Sequence, residues 1–171
     1  MPAVDLVAVV TRLHRNARAV DELLRGLDAA TARWRARPES WSLLEVVNHL
    51  ADEEVEDFRA RVRSTLEDPS APWAPIDPAG WVTARAYNAR EPAESLDRFL
   101  TERQASLDWL GNLSSPDWDR TAQHPTLGPL RAGDLLAAWL AHDQAHIAQL
   151  ARLLRSAIPV QLAPYSIDYA G

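Results

Sequence analysis

Apolar side chains recur at alternating steps of three and four residues in four separate stretches of this chain. This spacing places them along one face of an α-helix, and a helix with one apolar face has to bury that face against other elements. The stretches cover residues 6–27, 44–66, 96–113 and 135–154. No segment shows the alternation of a convincing strand, so the pattern predicts an all-α four-helix bundle.

Proline and capping residues indicate where the second and third helices begin and end. Ser40 offers an N-cap for the second helix, which should end near Pro69, and Pro92 suits the first turn of the third. Residues 69–91 carry several prolines and no sustained periodicity, which indicates a long surface connection. Such a connection can cross over along a bundle, which predicts parallel second and third helices and an up-down-down-up topology.

Two further segments are predicted to be irregular. One is the proline-containing connection 114–131, and the other is a tail of about residues 156–171 after the fourth helix. The chain has no internal repeat, and its length suits one core. Residues 1–171 are therefore expected to form a single domain.

Composition argues against several classes of function. The chain has no cysteine, so it offers no disulfide, no thiolate metal site and no cysteine nucleophile. Its net charge of −6 and its scattered arginines disfavour nucleic acid binding. No apolar run approaches the roughly 20 residues of a membrane span, and residues 1–15 lack the features of a secretory signal. A cytoplasmic protein is expected.

Two histidines stand out on the fourth helix. His142 and His146 are four residues apart, so their imidazoles project from the same side of the helix, within or beside its apolar face. Buried imidazoles need partners, and a pair with this spacing can hold one metal ion. The same spacing also occurs in ordinary surface or core histidines. The pattern alone does not decide between these interpretations.

Asp143 and Arg103 are charged residues that interrupt apolar faces. Asp143 lies on the apolar side of the fourth helix, where its carboxylate needs a partner. A ligand histidine would provide one, and so would an arginine from another helix. For Arg103, on the third helix, a long side chain that reaches out to solvent is the simpler interpretation, and a substrate-binding or cofactor-binding arginine is the alternative.

His49 is the third candidate ligand and lies on the second helix. Glu45 and Glu53 lie four residues before and after it, on the same side of the helix. His49 is away from the centre of the apolar face, which predicts a position near the edge of the core. A metal at the mouth of the bundle would accommodate that position, and so would a surface histidine.

Other motifs of metal and nucleophile chemistry are missing from the sequence. It has no glycine-rich phosphate loop, no Gly-x-Ser-x-Gly elbow and no paired Glu-x-x-His pattern of a di-iron bundle. His14 and His124 suit structural or solvent roles better than metal ligation. A single histidine-bound metal is the centre that remains.

The second helix and the end of the chain resemble a known family. WSLLEVVNHLADE at residues 41–53 resembles the second-helix motif of the DinB-like superfamily, the bundle proteins grouped under DinB and YfiT. LGPL at 127–130, GDLL at 133–136 and HDQAHIAQL at 142–150 resemble its last loop and last helix. Because the two regions lie far apart and the helix order fits, the resemblance covers essentially the whole domain.

The resemblance implies an up-down-down-up bundle with three histidines around zinc, nickel or a similar divalent ion, and water or substrate at the open positions. It implies that His49 is the second-helix ligand and that His142 and His146 are the pair on the last helix. It also implies a homodimer. The superfamily includes thiol-dependent transferases and isomerases, so the resemblance does not identify one reaction.

Two classes of function fit a metal held by three histidines. In an enzyme, the ion could present a low-molecular-weight thiol, such as bacillithiol or mycothiol, to an electrophile. It could instead activate water against a small-molecule ester or amide, with Glu45, Asp52 or Glu53 as general base. In a non-catalytic stress or ligand-binding protein, the metal would only join the second helix to the fourth. A thiol S-transferase is the first hypothesis, and a chain without cysteine suits a borrowed thiol. Nothing in the sequence selects between the transferase and the hydrolase.

Overall fold

A computed structural model describes residues 4–170, and most of them are helical. The helices are α1 (Leu6–Leu24), α2 (Ala29–Arg33), α3 (Leu43–Glu53), α4 (Arg59–Glu67), α5 (Pro78–Ala84), α6 (Pro92–Gly111) and α7 (Ala132–Gln161). A π-helical segment, Glu54–Phe58, joins α3 to α4 and makes one long second bundle helix. Short 3-10 turns are formed by Tyr87–Ala89 and Asp168–Ala170. The four long helices confirm the predicted bundle.

Each of the first two long helices packs against both of the last two. α1 packs against α6 and α7, and α3 packs against the same two helices. α3 and α6 run in the same direction: Asn48 is bonded to Ser95 near their starts, at 2.9 Å, and Glu54 to Arg103 further along, at 2.9 Å. An up-down-down-up arrangement requires this shared direction. The path of the long connection as a crossover stays a prediction.

The second bundle helix begins two residues after the predicted cap. Ser42 is the N-cap: its hydroxyl accepts the N–H of Glu45 at 3.1 Å, and the Glu45 carboxylate accepts the N–H of Ser42 at 2.8 Å. Ser40 instead bonds to the backbone of Arg37 in the preceding turn. Serine is a favourable N-cap residue at both positions. Only Ser42 is followed three residues later by a glutamate, which completes a capping box.

The π-helical segment changes which residues of the second helix are buried. Val55, an apolar position of the second stretch, is only half-buried, whereas its neighbour Glu54 is 1% exposed. A π-helical turn contains an extra residue, so the positions after it rotate relative to those before it. Phe58 and Val62 remain in the core beyond the segment.

Arg103 is buried in the centre of the bundle, so neither the solvent-exposed nor the substrate-binding interpretation is correct. Its side chain is 1% exposed and forms ion pairs with Glu54, at 2.5 Å, and Asp143, at 2.8 Å. Asp143 therefore pairs with an arginine from another helix, which was one of the two partners expected for it, and not with a ligand histidine. The partners come from other helices, which the periodicity of a single helix does not show.

Parts of the segments that were predicted to be irregular form regular secondary structure. β1 (Thr121–His124) and β2 (Gly128–Arg131) form an antiparallel hairpin before α7. Gly128 has a φ of 77°, a conformation that favours glycine. α7 continues through Pro159 and ends at Gln161. The helix tolerates this proline because the residue lies close to the helix end, where its missing N–H removes only one hydrogen bond. The tail thus begins after the helix, later than predicted.

Several sequence predictions concern the molecule as a whole. Among residues 4–170, no helix has both the length and the apolar character needed to cross a membrane. The single domain, the cytoplasmic location and the homodimer stay predictions.

We expect Ser42→Ala to lower the free energy of unfolding by about 1 kcal/mol, because the first turn of α3 loses its capping hydroxyl. Ser40→Ala should have a smaller effect, since Ser40 stabilises only the turn before the helix. Urea unfolding curves of both variants and the wild type provide the comparison. A loss for Ser40→Ala that equals or exceeds the loss for Ser42→Ala would contradict the assignment of the cap.

Arg103→Met should lower the free energy of unfolding by about 3–5 kcal/mol, because it leaves Glu54 and Asp143 buried without a counter-charge. Arg25→Met is the control: Arg25 is 54% exposed and pairs with Asp21 at the surface, so its loss should change stability little. Urea and thermal unfolding measure both variants. Equal stability of the two would show that the buried pairing is not needed for folding.

Candidate metal centre

Three histidines from two bundle helices meet at one point. His49 lies on α3, and His142 and His146 lie about one turn apart on α7. Nε2 of His49 is 3.2 Å from Nε2 of each of the other two rings, and those two nitrogens are 3.1 Å apart. The three candidate ligands therefore form one compact cluster.

His49 is buried, although the apolar pattern predicted a position near the edge of the core. Its exposed fraction is 5%. All of α3, from Leu43 to Glu53, is buried, and α6 and α7 both pack against it. A helix covered on more than one side also buries residues outside its apolar face, so periodicity does not identify all of its buried positions.

Burial keeps the three imidazoles neutral. Desolvation, together with the two neighbouring rings, lowers the pKa of His49 to about 3. Desolvation, together with His146, lowers the pKa of His142 to about 4. The pKa of His146 is also lowered, mainly by burial. Neutral imidazole is the form that binds metal ions.

A hydrogen bond directs the lone pair of His146 toward the cluster. Its Nδ1 lies 2.8 Å from Oε1 of Gln149, so we assign the proton to Nδ1 and the lone pair to Nε2. Sequence analysis gave Gln149 no role, but its spacing of three residues from His146 on a helix was an available signal.

The cluster fits a divalent metal ion. Lone pairs at this separation repel each other unless a cation lies between them. Tetrahedral zinc bonded to imidazole nitrogens at about 2.0–2.1 Å needs ligand atoms about 3.3 Å apart. The separations of 3.1–3.2 Å in the cluster are close to that value.

Two aromatic side chains flank the histidines. The Trp41 ring is centred 4.9 Å from the ring of His49 and is nearly parallel to that of His146, 6.5 Å away. Phe58, at the end of the π-helical segment, is centred 5.0 Å from His142. Sequence analysis assigned neither a role, because aromatic residues in apolar stretches are usually core residues. Here they contribute to the desolvation of the imidazoles.

Glu53 is the carboxyl group beside the cluster. Its Oε2 is 3.9 Å from Nε2 of His142, and its Oε1 is buried without a hydrogen-bond partner. Burial and the neighbouring Asp57 raise the pKa of Glu53 to about 8, and burial also raises the pKa of Asp57. Arg61 pairs with Asp57 at 2.9 Å and offsets this effect only in part, so without a metal ion Glu53 retains a proton at neutral pH.

The other two candidate bases have different partners. Glu45 caps α3 and accepts a hydrogen bond from an arginine in the loop before it. Asp52 accepts hydrogen bonds from Tyr87, Arg85 and Arg98. Burial alone would raise the pKa of Asp52, but these bonds hold it below its ordinary value. Both carboxylates are thus engaged away from the histidines.

Asp143 and Arg103 lie behind the cluster rather than in it. Asp143 is bonded to Arg103 and Asn16, and within residues 4–170 no hydrogen bond joins it to a candidate ligand. Burial lowers the pKa of His142, and the charge of Asp143 partly offsets that effect. Asp143 therefore acts on His142 through its charge and not through a hydrogen bond.

His124 lies outside the cluster, on the hairpin. Its Nδ1 accepts the N–H of Thr126 at 3.1 Å. Its ring lies nearly perpendicular to the ring of Trp73, with the two centroids 5.7 Å apart. Its charge acts on Asp57, so the hairpin lies close to the carboxyl pair. A structural role agrees with these contacts.

Comparison with known proteins gives three matches. A family model described as the DinB superfamily matches residues 12–150. The protein named "Putative metal-dependent hydrolase OB0782" from Oceanobacillus iheyensis is 31% identical over 121 residues, which cover 70% of this chain and 68% of that protein. YfiT from Bacillus subtilis, described as a probable metal-dependent hydrolase with an unusual four-helix bundle topology, is 19% identical with a TM-score of 0.79.

The match to YfiT covers 91% of this chain and 90% of the other, and at this identity it shows a shared fold. The family model covers most of the chain and includes all three clustered histidines. The protein belongs to the DinB superfamily.

Proposed function

We propose that this protein is a divalent-metal-dependent hydrolase of small-molecule esters or amides. One observation carries the proposal: a buried carboxyl group, Glu53, lies beside three neutral histidines that converge on one point, with Oε2 3.9 Å from Nε2 of His142. The name of the relative from Oceanobacillus iheyensis, "Putative metal-dependent hydrolase OB0782", supports it.

His49, His142 and His146 would hold the ion through their Nε2 atoms. Imidazole ligands suit zinc and nickel, which we propose as the native metals. When bound, the ion supplies Lewis acidity and lowers the pKa of a coordinated water. Because all three ligands are neutral, they leave the charge of the ion undiminished, and Gln149 holds His146 in the ligating tautomer.

Glu53 carries the proton in this proposal. Its Oε2 accepts a proton from the nucleophile as the bond to the carbonyl carbon forms, and it later donates that proton to the departing alcohol or amine. Burial beside Asp57 raises its pKa to about 8 without a metal, and a cation at the histidines would lower the pKa from that value toward neutral pH. A group with a pKa in this range can both accept and donate.

A thiol transferase would use the same residues with a different nucleophile. A low-molecular-weight thiol of the bacillithiol or mycothiol type would take the place of water, and Glu53 would accept its proton. Trp41 and Phe58 favour this candidate, since sulfur makes favourable contacts with aromatic rings. The chain has no cysteine that would compete with an external thiol.

A non-catalytic bundle is the remaining alternative. Glu53 would then be a fourth ligand, and the ion would only join α3 to α7. A closed coordination sphere leaves no position for a substrate. Replacement of Glu53 separates this case from the other two, because loss of a ligand weakens metal binding whereas loss of a base does not.

The purified protein should bind one divalent ion per chain, and chelation should lower its melting temperature, because the binding free energy stabilises the native state. His142→Ala should abolish stoichiometric binding, while the control His124→Ala should retain it. Elemental analysis and thermal melts measure both effects. Full occupancy in His142→Ala, or no binding by the wild type, would refute the metal centre.

Glu53→Gln should lower kcat for hydrolysis by about 10²–10⁴-fold with unchanged metal content, because the general base is lost. Glu56→Gln is the matched control on the same helix, since Glu56 pairs with Arg85 rather than with the histidines. Chromogenic esters and amides are the substrates, and several thiols with a chromogenic electrophile form a second panel.

The outcomes of this assay separate the three candidates. Turnover of esters or amides without thiol supports the hydrolase. Turnover only in the presence of a thiol overturns the hydrolase in favour of the transferase. No turnover, combined with metal loss in Glu53→Gln, overturns both in favour of the structural metal.

A further inference from the structure

A network of buried polar side chains crosses the bundle just behind the histidines. Arg103 on α6 is at its centre, and its side chain is 1% exposed. Both Glu54, in the π-helical segment, and Asp143, on α7, are at most 3% exposed. The network reaches α1 through the carbonyl of Leu13, 3.0 Å from Nη1 of Arg103. It therefore connects all four long helices.

All five N–H donors of Arg103 are used within this network. Nη1 and Nη2 donate to the two oxygens of Asp143, each at 2.8 Å, in a forked pair. Nε and Nη2 both donate to Oε1 of Glu54, at 2.9 and 2.5 Å. The fifth donor goes to Leu13. No donor remains for a substrate.

The two carboxylates are also held from other sides. Trp139 Nε1 donates to Oε1 of Glu54 at 2.9 Å, and the Ser106 hydroxyl donates to Oε2 at 2.8 Å. The Asn16 amide donates to Oδ2 of Asp143 at 2.9 Å. Each carboxylate is thus fixed in position and orientation.

The residues that Arg103 holds are adjacent in sequence to the residues of the metal centre. Glu54 follows Glu53, and Asp143 follows His142. Consecutive residues on a helix are rotated by about 100°. When the side chain of Glu54 or Asp143 is held in place, the rotation of its helix about its own axis is fixed. The direction in which Glu53 or His142 points toward the centre is then fixed as well.

We infer that Arg103 is a positioning residue of the metal centre. By binding Glu54 and Asp143 at once, it sets the spacing and rotation of the second bundle helix relative to α7. That relation determines whether Nε2 of His49 reaches the nitrogens of His142 and His146. The inference rests on the proposed function, since it concerns the same metal site.

Stability alone does not account for the network. Well-packed apolar side chains in place of a buried ion pair are often as stable as the pair or more so. The forked geometry of a guanidinium instead specifies direction and distance, which apolar contacts do not. Two carboxylates and one guanidinium also leave a net negative charge close to the site, which favours a bound cation.

The test is titration of metal-free protein with Co²⁺, followed by its visible absorption spectrum, under conditions where every variant is folded. Arg103→Met should bind Co²⁺ about 10–100-fold more weakly, the range for loss of outer contacts to a metal site, with an altered spectrum. Arg103→Lys should recover part of the affinity, because a lysine retains the charge but not the fork.

Leu110→Ala is the matched control for a purely structural effect. Leu110 is a buried core residue on the same helix as Arg103, so its replacement should destabilise the protein but removes none of the hydrogen bonds of the network. Its Co²⁺ affinity and spectrum should equal those of the wild type. If Arg103→Met behaves like Leu110→Ala in both readouts, Arg103 has no positioning role.

Failure of the inference can be distinguished from failure of the proposed function. A wild-type protein that binds no Co²⁺ overturns the metal centre and the inference with it. A wild-type protein that binds Co²⁺ tightly, with an equal affinity and spectrum in Arg103→Met, overturns the inference alone.

Discussion

Three charged side chains are buried in the middle of this bundle, and the arrangement of the long helices depends on how they pair. Removal of each charge from water costs on the order of several kcal/mol, so Arg103, Glu54 and Asp143 are tolerated only with their bonds made. Since the three residues belong to different helices, those bonds form at one relative placement of the helices. Apolar cores tolerate changes of shape more readily. The ion pairs therefore restrict the bundle more narrowly than its apolar contacts do.

The candidate metal centre depends on the same burial. Desolvation disfavours the charged form of any group, so its effect on protonation is opposite for bases and acids. It removes the proton from the imidazoles of His49 and His142, and it retains a proton on Glu53. One environment thus produces both neutral metal ligands and a carboxyl group that can donate a proton. The aromatic rings of Trp41 and Phe58 contribute to that environment at the edge of the site.

Local spacing was sufficient to predict the bundle and the pairing of His142 with His146, because both follow from the geometry of single helices. Whether His49 lies near that pair depends on how two helices pack against each other. His49 was therefore predicted as a ligand from the family resemblance and not from periodicity. Ser42 could have been preferred to Ser40, since a glutamate follows only Ser42 at the third position. The hairpin was missed because strands of four residues are too short for a clear alternation.

The choice among the acidic residues of α3 depends on cations that lie elsewhere in the chain. Glu45, Asp52 and Glu53 are equivalent candidates by residue type and by closeness to His49. Glu45 and Asp52 each pair with arginines from outside the helix. For Asp52, these bonds hold the pKa below its ordinary value. Glu53 lies beside a histidine and Asp57 instead, and the arginine that pairs with Asp57 offsets the effect of burial only in part, so without a metal Glu53 keeps its proton. A positive charge brought to the histidines lowers that pKa and releases the proton. The burial that raises the pKa of Glu53 is thus what lets this carboxyl group respond to a metal.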